Sequence, residues 1–132
     1  LTDEEFKVAD RELLMRFFNS SLCKRILKSD FVKREMKFLT EFPANQLNSS
    51  LDENFANEMI VVHGAVDIVF KEKDGLVIVD FKTDRNKNEN ELVEAYSEQL
   101  KIYAKACAKI LKAPVKELMV YSFSLGREIV IK

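Results

Sequence analysis

Residues 59 to 82 read MIVVHGAVDIVFKEKDGLVIVDFK, and this stretch decides the fold. Two apolar runs, Met59 to Phe70 and Leu76 to Phe81, are joined by Lys71-Glu72-Lys73-Asp74-Gly75. The Asp-Gly pair favours a tight turn with positive φ, so the stretch predicts a β-hairpin. Side chains alternate along a strand, which puts Asp80 and Lys82 on one face of the second strand and Val79 and Phe81 on the other. Asp67 lies on the first strand, on the face opposite Val66, Ile68 and Phe70. Cross-strand neighbours sit about 4.5 to 5.5 Å apart at Cβ, or about 7 Å on the diagonal, so two carboxylates and an amine converge at the end of an apolar sheet.

Two acids at that separation repel, and placing them beside an apolar strand costs free energy unless a cation compensates. Mg²⁺ or Mn²⁺ suits oxygen donors in an octahedral arrangement, here Asp67, Asp80, a main-chain carbonyl and waters. Such an ion acidifies water and neutralises charge developing on a phosphodiester, while Lys82 orients the water or stabilises that charge. The competing reading is a solvated cross-strand salt bridge, worth about 0 to 1 kcal/mol. Spacing alone does not separate the two.

Upstream, Thr2-Asp3-Glu4-Glu5 has a capping-box pattern, and Phe6, Leu13, Leu14, Phe17 and Phe18 recur at helical spacing, predicting a helix to about Asn19. Ser20 and Ser21 cap a second, short helix from Leu22 to Lys28, with Leu22, Ile26 and Leu27 inward. Phe31 to Phe42 alternates, with Met36, Phe38 and Val32 opposite Lys33, Glu35 and Lys37, as a half-buried strand ended by Pro43. The polar run from Ala44 to Asn57 reads as a mobile loop or hairpin connection. Downstream, an Asn-rich connection from Thr83 to Asn90 leads into a long helix carrying Leu92, Tyr96, Gln99, Leu100, Tyr103, Cys107, Ile110 and Leu111, stopped by Pro114. Val115 to Phe123 and Glu128 to Ile131 close the chain as strands around Gly126.

The 132 residues are one domain's worth, with 47% apolar content, and such a chain builds a core without staples. Lys plus Arg number 21 against 22 Asp plus Glu, so the strongly basic footprint of a pure DNA-binding module is absent, although carboxylate-held cations can meet phosphate instead. Two cysteines, no signal-like segment and no 18-residue apolar run imply a reducing, cytoplasmic setting and no membrane association. The start at Leu1 without Met reads as an excised fragment.

The segments His63-Gly64-Ala65-Val66-Asp67, Gly75 to Asp84 with Asp80-Phe81-Lys82-Thr83, and Gln99-Leu100-Lys101-Ile102-Tyr103 resemble the Gly-x-x-Asp, Asp-x-Lys-Thr and Gln-x-x-x-Tyr motifs of RecB-like nucleases in the PD-(D/E)XK superfamily. Within it the likeness is greatest to the C-terminal nuclease domain of AddA-type helicase-nucleases, which resect double-strand breaks. It covers most of the chain, including Arg34-Glu35 and Tyr121-Ser122-Phe123.

The resemblance implies an α/β, restriction-endonuclease-like core: a central mixed β-sheet flanked by helices, filling residues 1–132 as one domain. It implies Mg²⁺ or Mn²⁺ held by Asp67, Asp80 and the Phe81 main-chain carbonyl, with Lys82 as the catalytic lysine. Gln99 and Tyr103, one turn apart on a single helix face, brace the site or touch DNA. The substrate implied is DNA, as single-stranded ends or unwound duplex, cut exonucleolytically in double-strand break repair and recombination, with an AddB-like partner protein. The alternatives are a stand-alone phage-type or restriction-like exonuclease, or a degenerate fold that only binds DNA or a partner.

The chain departs from the family pattern in three ways. Val66 stands where the superfamily's proline would be. No His precedes His63, whereas the group carries a metal-binding His on an N-terminal helix, so the fragment is expected to lack that helix and one ligand. His63 lies on the same face as Asp67 but about 13 Å away, and with Glu35 it is the weaker ligand candidate. Two cysteines are too few for the four that hold the iron-sulfur cluster of related nucleases, so no cluster is expected. No Walker-type loop is present, so ATP use belongs to a helicase part upstream.

Overall fold

A computed structural model describes the backbone of residues 3–47 and 57–132 and the side chains of residues 10–47 and 57–132. The elements follow as α1 (Asp3–Phe18), α2 (Ser21–Lys28), β1 (Val32–Pro43), α3 (Ala44–Leu47), β2 (Met59–Glu72), β3 (Gly75–Lys82), α4 (Glu89–Leu111), β4 (Val115–Ser122) and β5 (Arg127–Val130). The expected capping contact of Thr2 and the inward Phe6 lie outside the described residues. So does most of the predicted polar connection, of which Ala44–Leu47 forms a short helix.

Strand order in the sheet equals chain order, β1-β2-β3-β4-β5. Every pairing is antiparallel except β3–β4, which is parallel because α4 carries the chain back across the sheet. The sheet is mixed and helices cover both faces, as expected. On one face Val69, Leu76, Ile78, Leu118 and Val120 meet Leu100, Ala104 and Cys107 of α4. On the other, Ile68, Phe70, Val77, Val79, Met119 and Tyr121 meet Phe17 of α1 and Leu22, Cys23 and Ile26 of α2. β3 is buried on both faces, which is why it reads as an unbroken apolar run rather than an alternating one. Cys23 and Cys107 are both buried and belong to opposite layers.

Local signals explain the helix ends. The Ser20 hydroxyl accepts from the Cys23 amide at 3.1 Å and starts α2. A reciprocal capping box between Asn88 and Glu91 starts α4, and Lys112 ends it in the left-handed conformation two residues before Pro114.

Several expectations are corrected. Leu27 points outward, 78% exposed, and Cys23 takes the inward position, because α2 touches the sheet along one narrow stripe. Val32 and Ile110 are exposed as well. Pro43 ends β1 as expected, as its last residue, paired with Met59. The hairpin turns on Lys73 and Asp74 rather than on Asp74-Gly75; Gly75 already pairs with Glu72. Its φ of +149° and a Cβ position only 2.6 Å from the Pro114 carbonyl explain the glycine.

At this turn Arg25 clamps Glu72 through two bonds of 2.9 and 2.7 Å and reaches Glu117 at 2.6 Å, while Lys116 adds a 3.1 Å bond to Glu72. The Arg25 guanidinium chiefly holds the Glu72 carboxyl down at about 2, from an ordinary 4.5. A carboxyl depressed in the folded state contributes stability above its unfolded value and loses it as pH falls through its folded one. Stability is therefore expected to fall between pH 4.5 and 2 more steeply in the wild type than in Glu72→Gln, as read by urea midpoints across that window. Parallel profiles would refute the clamp's contribution.

Candidate active site

β1 pairs β2 from Val32↔Phe70 to Pro43↔Met59, passing over Glu35 and Asp67, but β2 pairs β3 only from Ile68↔Val79 to Glu72↔Gly75. Beyond that point the strands part, and Asp67 and Asp80 sit at the fork. The Asp67 carboxylate accepts the Phe81 amide at 2.7 Å, taking the place of the next ladder bond. A strand residue presents N–H and C=O to the same edge, so the Phe81 carbonyl is directed to the Asp67 side as well.

Asp67 is also where β2 changes face. Val66 packs under α4, yet Ile68 and Phe70 pack under α1 and α2. This corrects the simple alternation expected for Val66, Ile68 and Phe70. On β1 the matching position is Glu35, between the pairs Arg34↔Ile68 and Met36↔Val66, with a left-handed φ of 51°. The two strands slip phase together, keeping register while exchanging faces. Glu35 is thus level with Asp67, but its side chain is exposed.

On β3 the alternation holds: Leu76 and Ile78 face α4, and Asp80 and Lys82 continue that row. Asp80 is only 8% exposed. Lys82 Nζ meets an Asp80 oxygen at 2.7 Å and lies 4.3 Å from the centre of the Tyr96 ring on α4. Burial, together with the Asp67 carboxyl within hydrogen-bonding reach, raises the Asp80 pKa against the opposing pull of Lys82. Burial works against the Lys82 ammonium, but the bond to Asp80 and the nearby carboxylates of Asp80 and Asp67 outweigh it and hold its pKa above the ordinary lysine value.

Gln99 and Tyr103 form a brace set back from this cluster. Gln99 donates to the Tyr103 hydroxyl at 3.2 Å, and the Tyr103 ring stands edge-on to Phe38 at 5.0 Å. Gly64, opposite Phe38 in the register, supplies the space: a Cβ there would lie 2.6 Å from Tyr103 Cζ. The Gly-x-x-Asp and Gln-x-x-x-Tyr segments therefore meet in space. His63 pairs with Leu39 on the exposed face turned away from α4, and the structure does not bring it to the Asp80-Lys82 side.

The sequence reading places Tyr96 among the helix's apolar positions and Asp84 at the end of a motif, but gives neither a role at the site. The Tyr96 hydroxyl donates to Asp84 at 2.7 Å, and Lys87 pairs with the same oxygen at 2.9 Å. The signal was present in spacing, since Tyr96 precedes Gln99 by three and Tyr103 by seven, on one helix face.

The donors gathered at the fork are all oxygens: one Asp67 oxygen beyond that bonded to Phe81, the Asp80 carboxylate and the Phe81 carbonyl. Two converging carboxyl groups, one with its pKa raised by burial and then by the other, are the electrostatic condition a hard divalent cation relieves, so the residues fit Mg²⁺ or Mn²⁺. Among the described residues no group of three or more His, Cys, Asp or Glu side chains gathers for a metal, so water would complete the shell.

Residues 3–129 match the model of the PD-(D/E)XK nuclease superfamily, and the chain belongs to that family. Along 96% of its length it is 38% identical, over 128 residues, to the AddA polypeptide of the ATP-dependent helicase/nuclease of Thermoanaerobacter sp. (strain X514). It is 37% identical over 132 residues to the corresponding polypeptide of Clostridium botulinum (strain Okra / Type B1), and 38% over 138 residues to that of Clostridium perfringens (strain 13 / Type A), each across 99% of the chain. The chain spans only about a tenth of these relatives. The crystal structure of SSO0001 has the same fold, with a TM-score of 0.52 at 15% identity over 97% of this chain and 60% of that one.

The close approach at Gly64 gives a test. Gly64→Ala is expected to destabilise the fold by about 1 to 3 kcal/mol in urea unfolding, and the added loss should shrink when Tyr103 is already Ala. Additive losses would show that the two positions do not compete for one space.

Proposed function

We propose that this chain is the nuclease domain of an AddA-like helicase-nuclease, hydrolysing DNA phosphodiester bonds with Mg²⁺ or Mn²⁺. The observation that carries this reading is the fork between β2 and β3, where Asp67, Asp80 and Lys82 converge with the carbonyl edge of Phe81. Asp67, Asp80 and the Phe81 carbonyl hold the cation, which when bound supplies Lewis acidity at the phosphate and acidifies the attacking water. Lys82 lies beside this donor set and places its positive charge where negative charge builds on the phosphate oxygens. Asp67, fixed by the Phe81 amide, keeps its second oxygen aimed into the fork. Water adds to phosphorus, one P–O bond breaks, and the chain ends are a phosphate and a hydroxyl.

Single-stranded ends fit best as substrate, delivered by a helicase segment of the same longer polypeptide, which would be where ATP is used. The role is then exonucleolytic resection in double-strand break repair and recombination, in the cytoplasm and beside an AddB-like partner protein. Similarity to AddA polypeptides of ATP-dependent helicase/nucleases over most of the chain supports this setting. No described helix is long and apolar enough to cross a membrane.

Calorimetric titration with Mg²⁺ and Mn²⁺, paired with cleavage of a labelled single-stranded oligonucleotide, tests the assignment. Asp80→Ala is expected to lose both metal binding and cleavage. Lys82→Ala should keep metal binding while kcat falls about 100- to 1,000-fold. A wild type that neither binds metal nor cuts, or a Lys82→Ala variant that cuts normally, would remove the reading.

A further inference from the structure

Lys82 has two partners, and they differ in kind. One is the Asp80 carboxylate at 2.7 Å, the oxygen donor that the function proposed above commits to a cation. The other is the face of Tyr96, with Lys82 Nζ 4.3 Å from the ring centre. A cation over an aromatic face is held by the ring's quadrupole and consumes no oxygen donor. Resting on the nuclease reading, we infer that Tyr96 is the positioning residue for Lys82: its ring keeps the ammonium over the fork when Asp80 is engaged elsewhere.

The ring is itself fixed from behind. Its hydroxyl donates to Asp84 at 2.7 Å, and the Asp84 charge is met by Lys87 at 2.9 Å. Asp84 lies two residues beyond Lys82 on the connection leaving β3, and Tyr96 lies on α4, so one hydrogen bond ties the end of the catalytic strand to the helix that covers it. Donation to a carboxylate leaves the phenol oxygen more electron-rich, which strengthens the face that Lys82 meets. With Lys87 neutralising Asp84, that carboxylate offers Lys82 little competing attraction. A long, flexible lysine side chain loses considerable rotamer freedom when localised, and the ring supplies that localisation before substrate arrives.

A mere clamp between loop and helix would need the hydroxyl and not the ring. Tyr96→Phe removes the bond to Asp84 and keeps the aromatic face, whereas Tyr96→Leu removes both. The experiment measures, on the whole chain, the ring-current displacement of the Lys82 ε-methylene protons by NMR and single-turnover cleavage of a single-stranded oligonucleotide with Mg²⁺. In the wild type these protons are expected upfield, the displacement should largely persist in Tyr96→Phe, and it should vanish in Tyr96→Leu. Cleavage by Tyr96→Leu should slow about tenfold with KM for DNA and metal affinity unmoved, and Tyr96→Phe should recover most of that loss.

The inference is overturned if the wild-type protons show no displacement, if Tyr96→Leu cuts as fast as wild type, or if Tyr96→Phe is as slow as Tyr96→Leu. A wild type that does not cut at all would sink the nuclease reading instead. The NMR comparison would still decide whether Tyr96 holds Lys82.

Discussion

When two paired strands separate inside a protein, the first backbone amide past the fork loses its partner, and a buried donor left bare costs about 1 to 3 kcal/mol. Here that amide belongs to Phe81, and Asp67 answers it at 2.7 Å. The rest of the site depends on this bond. It holds the Asp67 carboxylate at the fork, leaves one of its oxygens uncommitted to Phe81, and turns the backbone edge of Phe81 toward the same space. The phase slip at Glu35 and Asp67 lets β1 and β2 continue under α4 after leaving β3, so that Met36, Phe38, Val62 and Val66 still find a core.

Electrostatics then follow from packing. β3 is covered on both faces, so the row that brings Leu76 and Ile78 into the core also carries Asp80 into low-dielectric surroundings. The charge is tolerated because Lys82 comes next on that row and reaches back to it. Asp67 acts the other way, raising the Asp80 pKa, and the cluster as a whole is in tension between one ammonium and two carboxyls.

Much of this was legible in the sequence. The hairpin, the long amphipathic helix and the shared face of Asp80 and Lys82 all follow from periods of 2 and 3.6, because tertiary packing here agrees with local pattern. What alternation misplaced was the surroundings of Asp67, since a left-handed residue such as Glu35 leaves no mark in hydrophobicity when it is not glycine. The turn residues were shifted because Gly75 answers a distant carbonyl, that of Pro114, rather than the turn itself. Leu27 escapes the pattern because a helix of two turns cannot reveal how wide a stripe its neighbours will cover. Spacing puts Tyr96 on one helix face with Gln99 and Tyr103, but its meeting with Lys82 and Asp84 needed α4 to be laid over β3, which spacing alone does not fix.

The identity of strand order with chain order has a kinetic side. The β2–β3 and β4–β5 pairings join strands separated only by short turns, so loop closure costs them little entropy. The β3–β4 pairing, by contrast, must await the 23-residue helix that spans the gap. Asp67, Asp80 and Lys82 thus share one local hairpin, whereas Tyr96 and the lid of apolar side chains come with the crossover. In a chain built this way, the charged groups can meet while still solvated, and the desolvation of their pairing falls on the crossover step.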